Sequence, residues 1–274
     1  TRDANGSLFF GVGAGRTLTV GVPIANGWGP VEKDGPGTLV LGAQNTSTGA
    51  LNVNEGAVRH AAASGGDLAA NAVNILNGSV LDFAGDPDTL GALTIYSGGV
   101  TNSLANGVLT VSSLAMGGGP AGSSSYVQTG TGSLKLGGNM TFSSVNDPDM
   151  ATLAGKLDLN GGTRTFTVNN SFAPGAEVDL NLSATIVGAA GYGVTKNGTG
   201  VLRLSSSNSF DGPISIANDS GTVIAGHPQA LGAPSAGRTV SVGNNDSLVL
   251  DGANGNITWP ALYTNLYLNG AGDY

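Results

Sequence analysis

A glycine-framed phrase occurs three times in the chain and limits the possible folds more than any other feature. The copies are VEKDGPGTLVL at residues 31–41, VQTGTGSLKL at 127–136 and VTKNGTGVLRL at 194–204. In each copy, Gly-x-Gly precedes a short run of alternating apolar residues, which is typical of a strand with one buried face. A recurring supersecondary unit indicates a backbone that winds similar coils, here called rungs, upon each other. We therefore expect a long surface rather than one deep pocket.

The composition favours an all-β fold. Glycine accounts for 47 of the 274 residues, hydrophobic residues for 40% and charged residues for only 10%. Collagen is excluded because the glycines follow no three-residue period. A disordered chain is excluded because the sequence is too apolar and too weakly charged. Short runs rich in Val, Leu and Thr predict strands, whereas runs of good helix formers are nearly absent.

The charge pattern, the short apolar runs and the absence of cysteine exclude several classes of function. The formal net charge is -8, and the ten Lys and Arg residues are scattered, so the basic face that nucleic acids require is missing. No apolar stretch approaches the roughly 20 residues of a membrane helix, so membrane insertion by this segment is not expected. The absence of cysteine excludes disulfides and thiolate chemistry.

Strand candidates recur roughly every 8 to 12 residues, a spacing shared by sandwiches, barrels and solenoids. Asn-Gly and Asp-Gly pairs between them mark sharp corners. The long-range repetition favours the solenoid. We predict one β-helix domain over residues 1–274, with irregular loop insertions such as Gly117–Ser125, as part of a longer chain or as a fibre subunit. Only Ala61–Asn71 has local helical character, with Asp67 placed to cap a short turn.

Alternation also predicts which side chains point inward. The expected inward residues are Leu39, Leu41, Leu51, Val53, Leu134, Leu136, Leu157, Leu159, Leu202, Leu204, Ile214, Ile216, Leu248 and Leu250. A second internal repeat is predicted between residues 81–99 and 140–162, which share a strand, Asp-Pro-Asp, another strand and Gly-Gly.

The first and third copies resemble the autotransporter-associated β-strand repeat, also called the passenger-associated transport repeat. The resemblance rests on GTLVL at 37–41 with Asn45, Thr46 and Gly49, and on GVLRL at 200–204 with Asn208 and Gly212. It implies a right-handed parallel β-helix in an exported bacterial surface or secreted protein.

Candidate chemistry is sparse. His60 and His227 are interpreted as surface loop residues, since no nucleophile motif accompanies them. The carboxylate pairs Asp86/Asp88 and Asp147/Asp149 are interpreted as turn formers, with calcium binding and acid–base catalysis as alternatives. Trp28 and Trp259 are expected to pack at corners rather than to bind sugars. We therefore assign no catalytic, cofactor-binding or metal-binding residue.

The resulting functional expectation is a non-enzymatic extracellular structural protein, a β-helix rod or filament subunit on the bacterial surface. Head-to-tail self-association is expected because no capping helix is visible at either end. An adhesin that binds glycans or host protein through its loops is the alternative. A polysaccharide-degrading β-helix enzyme is the third possibility.

Overall fold

The computed structural model describes residues 6–25, 29–61, 72–103, 105–174, 177–235, 238–254, 256 and 265–268. These residues form strands and turns, with one 3-10 turn at Gly252–Asn254, which confirms the all-β prediction. The strands are β1 (Leu8–Gly11), β2 (Thr17–Val20), β3 (Val31–Asp34), β4 (Thr38–Leu41), β5 (Leu51–Val53), β6 (Ala57–His60), β7 (Val73–Ile75), β8 (Ser79–Asp82), β9 (Asp88–Ile95), β10 (Gly98–Thr101), β11 (Val108–Gly117), β12 (Ser125–Gln128), β13 (Ser133–Leu136), β14 (Met140–Ser143), β15 (Ala151–Ala154), β16 (Lys156–Asp158), β17 (Arg164–Val168), β18 (Leu180–Leu182), β19 (Thr185–Val187), β20 (Val194–Asn197), β21 (Val201–Leu204), β22 (Ile214–Ile216), β23 (Thr222–Ala225), β24 (Thr239–Val242), β25 (Ser247–Leu250) and β26 (Asn265–Leu268).

The strands form two sheets that the chain visits alternately. Sheet A has 15 strands, with the main path β1-β3-β5-β7-β9-β11-β14-β17-β20-β22-β24-β26. Sheet B has 11 strands in the order β2-β4-β6-β8-β10-β12-β15-β18-β21-β23-β25. Pairing is parallel, as in the register of Val31 with Leu51 and of Leu39 with Val58. The predicted parallel solenoid is therefore confirmed, with about ten rungs. Crossovers between parallel strands are right-handed in about 98% of cases, the sense expected here.

Rungs differ in length because their loops differ. Val31 and Leu51 are paired neighbours only 20 residues apart, whereas Arg164 and Val194 are 30 residues apart. In the middle of the solenoid, β11 pairs with both β13 and β14, and β13 continues through β16 to β19. These central rungs therefore have a third strand. The predicted loop insertions lie at the corners, including the loop after β11.

One continuous core fills the interior of the solenoid. Twelve of the fourteen predicted inward residues are buried: Leu39, Leu41, Leu51, Val53, Leu134, Leu136, Leu157, Leu159, Leu202, Leu204, Ile214 and Ile216. Burial of each such side chain stabilises the fold by about 1.5 to 3 kcal/mol. Leu248 and Leu250 also face inward, in register with the buried Val223 and Ala225, but Leu250 is 46% exposed and Leu248 is only partly buried. Both lie on β25, the last strand in the described path of sheet B.

Gly-x-Gly recurs because two different constraints fall on its two glycines. Gly35 has a φ of 77°, which is costly for residues with a Cβ. Gly37 has no such φ, but a Cβ there would lie 2.3 Å from the carbonyl oxygen of Gly13 on the preceding rung. The other two copies repeat this arrangement, with positive φ at Gly130 and Gly198 and close backbone contacts at Gly132 and Gly200. The phrase is therefore a corner that lets one rung lie directly on another.

The same phrase serves different corners. In the first and third copies it leads from sheet A to sheet B, between β3 and β4 and between β20 and β21. In the second copy it leads from β12 in sheet B to β13 in sheet A. The predicted second repeat is likewise out of phase. Its Asp-Pro-Asp follows β8 of sheet B in one segment and β14 of sheet A in the other, so the two segments are not equivalent rungs.

Some predictions lie outside the described residues. They are the helical segment beyond Ala61, with Asp67, and the packing of Trp28 and Trp259. That residues 1–274 form a single domain also stays a prediction.

The contacts of Gly37 give a direct test of close rung stacking. Gly37→Ala should lower the free energy of unfolding by about 1 to 3 kcal/mol, because the new Cβ collides with backbone that cannot move away. Gly13→Ala is the matched control, since nothing lies within 4 Å of a Cβ at that position. The control should change stability by less than about 0.5 kcal/mol in denaturant unfolding. Equal losses at both positions would contradict the assigned packing.

Candidate functional site

The first glycine phrase contains a lysine whose side chain lies inside the solenoid. Lys33 is fully buried on β3, on the same face as Val31. Its Nζ donates hydrogen bonds to the carbonyl oxygens of Gly35 at 2.7 Å and of Glu55 on the next rung at 2.9 Å. Burial lowers the pKa of Lys33, against the opposing effect of Asp34 and Glu55. The ammonium group thus joins the corners of two successive rungs.

Lys196 repeats this arrangement in the third copy. It is 1% exposed, and its Nζ donates to the carbonyl oxygen of Gly198 at 2.5 Å and to that of Ser220 on the next rung. Burial lowers the pKa of Lys196 to about 8, although Asp246 and Asp179 raise it. The sequence analysis missed both lysines. The Val-x-Lys spacing was the available signal, because it puts lysine and valine on one face of the strand.

An asparagine performs the corresponding task at the corner after the leucine strand. Asn45 Oδ1 accepts a hydrogen bond of 2.7 Å from the backbone N–H of Ile24 on the preceding rung. Asn208 Oδ1 accepts one of the same length from Ile186, and its Nδ2 donates to the carbonyl oxygen of Ala230. These are the asparagines that carried the resemblance to the repeat. Their side chains substitute for backbone pairing where the strands stop.

Arginines hold two further corners. Arg164 donates from Nε to the carbonyl oxygen of Leu159 at 2.8 Å and from a terminal nitrogen to that of Gly137 at 2.9 Å. Arg238, which is 4% exposed, donates from Nε to the carbonyl oxygen of Gly212 at 2.6 Å. Its guanidinium also lies 4.9 Å from the ring centroid of Phe210. These lysines, asparagines and arginines therefore satisfy backbone groups rather than form a reactive centre.

His60 is the exception, and the interpretation of this residue as a surface loop histidine was wrong. It lies fully buried at the end of β6, facing inward like Val58. Its Nε2 is 3.7 Å from Asp88 Oδ2, and neither ring nitrogen has a hydrogen-bond partner among the described residues. Burial lowers the pKa of His60 to about 4, although Asp86 and Asp82 raise it. Asp82 itself lies 3.3 Å from Arg59 Nε.

His227, by contrast, lies half-buried in the predicted turn around Pro228, where its Nδ1 accepts a hydrogen bond of 3.0 Å from the backbone N–H of Gln229. The structure therefore brings no second histidine to His60 through this turn. The two histidines differ because only His60 occupies an inward position of a strand.

The two aspartate pairs occupy unlike environments. Asp86 and Asp88 are buried, and Asp88 Oδ1 accepts a hydrogen bond of 2.7 Å from the N–H of Thr89. Asp147 and Asp149 are exposed, and Asp147 has a φ of 49°. Asp86 and Asp147 each close a turn, since their N–H groups donate to the carbonyl oxygens of Phe83 and Ser144, whereas Asp88 is the first residue of β9. Among the described residues, no group of three or more His, Asp or Glu side chains is arranged to hold a metal ion.

The burial of His60 predicts an acid-dependent loss of stability. Because the pKa is lowered in the folded state, the unfolded chain takes up the proton first as the pH falls. The stabilisation is complete above pH 6.5 and should decline by up to about 3 kcal/mol as the pH falls to 4. Denaturant unfolding at several pH values should show that the stability of His60→Leu lacks this decline at acidic pH.

His227→Leu is the matched control, because it removes the other histidine and leaves His60 buried, so the acid-dependent loss of stability due to His60 should remain. A His60→Leu variant with the wild-type pH dependence would show that His60 is not buried in its neutral form.

Comparison with known proteins supports the repeat and nothing more specific. The family model for the passenger-associated-transport-repeat matches residues 31–59 and 194–226. No curated protein and no solved structure matched the chain. Within the described ranges, no helix has the length and apolar character needed to cross a membrane. Two segments of the chain therefore match the passenger-associated-transport-repeat, and the described residues wind into a parallel β-solenoid.

Proposed function

We propose that this chain is a non-enzymatic structural rod on the bacterial surface. The observation that carries the proposal is the unbroken parallel stacking of sheet B, in which 11 strands follow one another along one axis. At about 4.8 Å per strand, this path spans about 50 Å. Each rung buries similar apolar side chains, so stability accumulates with length as in other solenoids. Surface exposure is what the repeat family implies.

We propose the absence of enzymatic activity because the acidic side chains accept hydrogen bonds from the backbone. Asp147 Oδ1 accepts a hydrogen bond of 3.2 Å from the N–H of Phe172, and Asp179 accepts from Ser171 and Val201, each at 2.7 Å. These carboxylates hold loops and successive rungs in place. A glycosidase needs two carboxyl groups facing a common substrate cleft.

We further propose that rods associate head to tail. Two leucines of the inward columns are exposed at opposite ends of sheet B: Leu18 on β2 is 39% exposed and Leu250 on β25 is 46% exposed. Leu18 pairs in register with Leu39, and Leu250 with Ala225, so each continues the core column. Apposition of β25 of one copy to β2 of another would extend the sheet by parallel strand addition. Such heterologous contacts generate open filaments.

Charge at an end should disrupt this association. Leu250→Lys should reduce end-to-end assembly, because it places a cation in the column that a second copy would cover. Val145→Lys is the matched control, since Val145 is 63% exposed on the side of the rod, in the loop between β14 and β15. Sedimentation velocity across a concentration series and electron micrographs would compare the three proteins.

The wild type and Val145→Lys should form filaments of increasing length, whereas Leu250→Lys should remain in short particles. Dispersed single rods at every wild-type concentration would contradict self-association. A compact particle rather than a rod would contradict the structural role itself.

An adhesive role is the second candidate function. It is supported by aromatic side chains exposed along the sides of the solenoid, including Phe172, which is 78% exposed. Adhesion and rod formation use different surfaces of the molecule, since the exposed aromatic side chains lie on loops and the assembly contacts lie on edge strands.

A further inference from the structure

We propose that a groove at the corner after β9 and β11 binds a neutral saccharide. The groove has a volume of about 240 Å³ and lies between loops of successive rungs. Its walls include Tyr96, Pro120, Asn77 and Asn146. The inference does not depend on the rod function, because the groove lies beside the coil rather than at its ends.

The groove combines an apolar wall with free amides. Tyr96 is 38% exposed, and it lines the groove together with the ring of Pro120. Asn77 uses its Nδ2 on the carbonyl oxygen of Asn54, at 3.1 Å, which leaves its Oδ1 available. The exposed side chain of Asn146 forms no hydrogen bond with any described residue. A sugar ring has matching chemistry, since its C–H face packs on an aromatic ring and its hydroxyls bond to amides.

The loop that forms one wall is held in place before any ligand arrives. A Cβ on Gly119 would lie 2.3 Å from the carbonyl oxygen of Tyr96, so the loop packs directly against that residue. The loop is also tied to the next rung, because Gly122 N–H donates to Asp147 O at 3.0 Å and Asp149 N–H donates to Ser123 O at 2.9 Å. A preformed groove reduces the entropic cost of binding.

The surroundings favour a neutral saccharide over other ligands. No charged side chain lines the groove, and the net charge of the chain is -8, so phosphorylated, sulfated and uronic acid ligands have no cation to pair with. Extended peptides bind by adding a strand to a free sheet edge. Here β9 and β11 are paired on both sides, so no such edge is present at this corner.

The test is a titration of the full chain with uncharged hexasaccharides of glucose, mannose, galactose and N-acetylglucosamine, with an oligogalacturonate as the acidic comparison. Saturation-transfer NMR and calorimetry would measure binding. At least one neutral hexasaccharide should bind, and Tyr96→Ala should weaken it by about tenfold or more. Asn146→Ala should weaken it by about three- to tenfold.

Tyr192→Ala is the matched control, because Tyr192 is also 38% exposed but lies at the corner before β20, away from the groove. It should bind as the wild type does, and the melting temperatures of all variants should agree. The proposal is overturned if no neutral hexasaccharide binds up to about 10 mM, if only the acidic one binds, or if Tyr96→Ala binds like the wild type. None of these results bears on whether the molecule is a rod.

Discussion

The structure depends on how closely the backbone of one rung approaches the next. Parallel strands lie about 4.8 Å apart, so every corner must bring its chain equally near to the corner below. Strands satisfy this requirement by pairing, but corners must do so without regular hydrogen bonds. The Gly-x-Gly corner provides the solution. Its first glycine supplies a φ that turns the chain, as at Gly35, and its second allows direct contact with the preceding rung, as at Gly37.

Close corners leave carbonyl and N–H groups that strands no longer satisfy, and polar side chains supply the missing partners. Lys33 and Lys196 donate to carbonyl oxygens of two successive rungs, while Asn45 and Asn208 accept from the rung before. Unpaired buried backbone groups are costly, which explains why a lysine is retained in an otherwise apolar column. Each of the two segments that match the passenger-associated-transport-repeat thus combines strands of both sheets with polar side chains that complete the corners.

The fold was predictable because its determinants are local and repeat. Alternation placed Leu39, Leu202 and ten other side chains in the core, and the glycine phrase predicted stacking. It did not predict which sheet a copy enters, since the corner of Gly130 and Gly132 has the same geometry between other strands. Alternation placed Leu250 on the inward face, but it cannot tell whether another rung covers that face, and Leu250 is exposed.

The candidate site was less predictable for a different reason. His60 obeys the alternation of β6, yet its polarity suggested the surface. Its burial beside Asp88 depends on a residue of the next rung, and no spacing rule connects the two. The groove is also assembled from four successive rungs, through Asn77, Tyr96, Pro120 and Asn146. Residues that come together only through rung stacking cannot be paired from sequence before the register is known.

The central claim is that successive rungs stack in parallel and in the assigned register, and cross-linking tests it most directly. The chain has no cysteine, so cysteine pairs can be introduced without interference. Asn52 and Asn74 are paired on β5 and β7, with Asn74 Nδ2 donating to Asn52 Oδ1 at 2.8 Å. Thr152 and Asn181 are paired on β15 and β18. The account predicts that cysteines at either pair form a disulfide under mild oxidation in the folded protein. Failure of both pairs, with ready cross-linking of an antiparallel register such as Asn52 to Asp82, would contradict it.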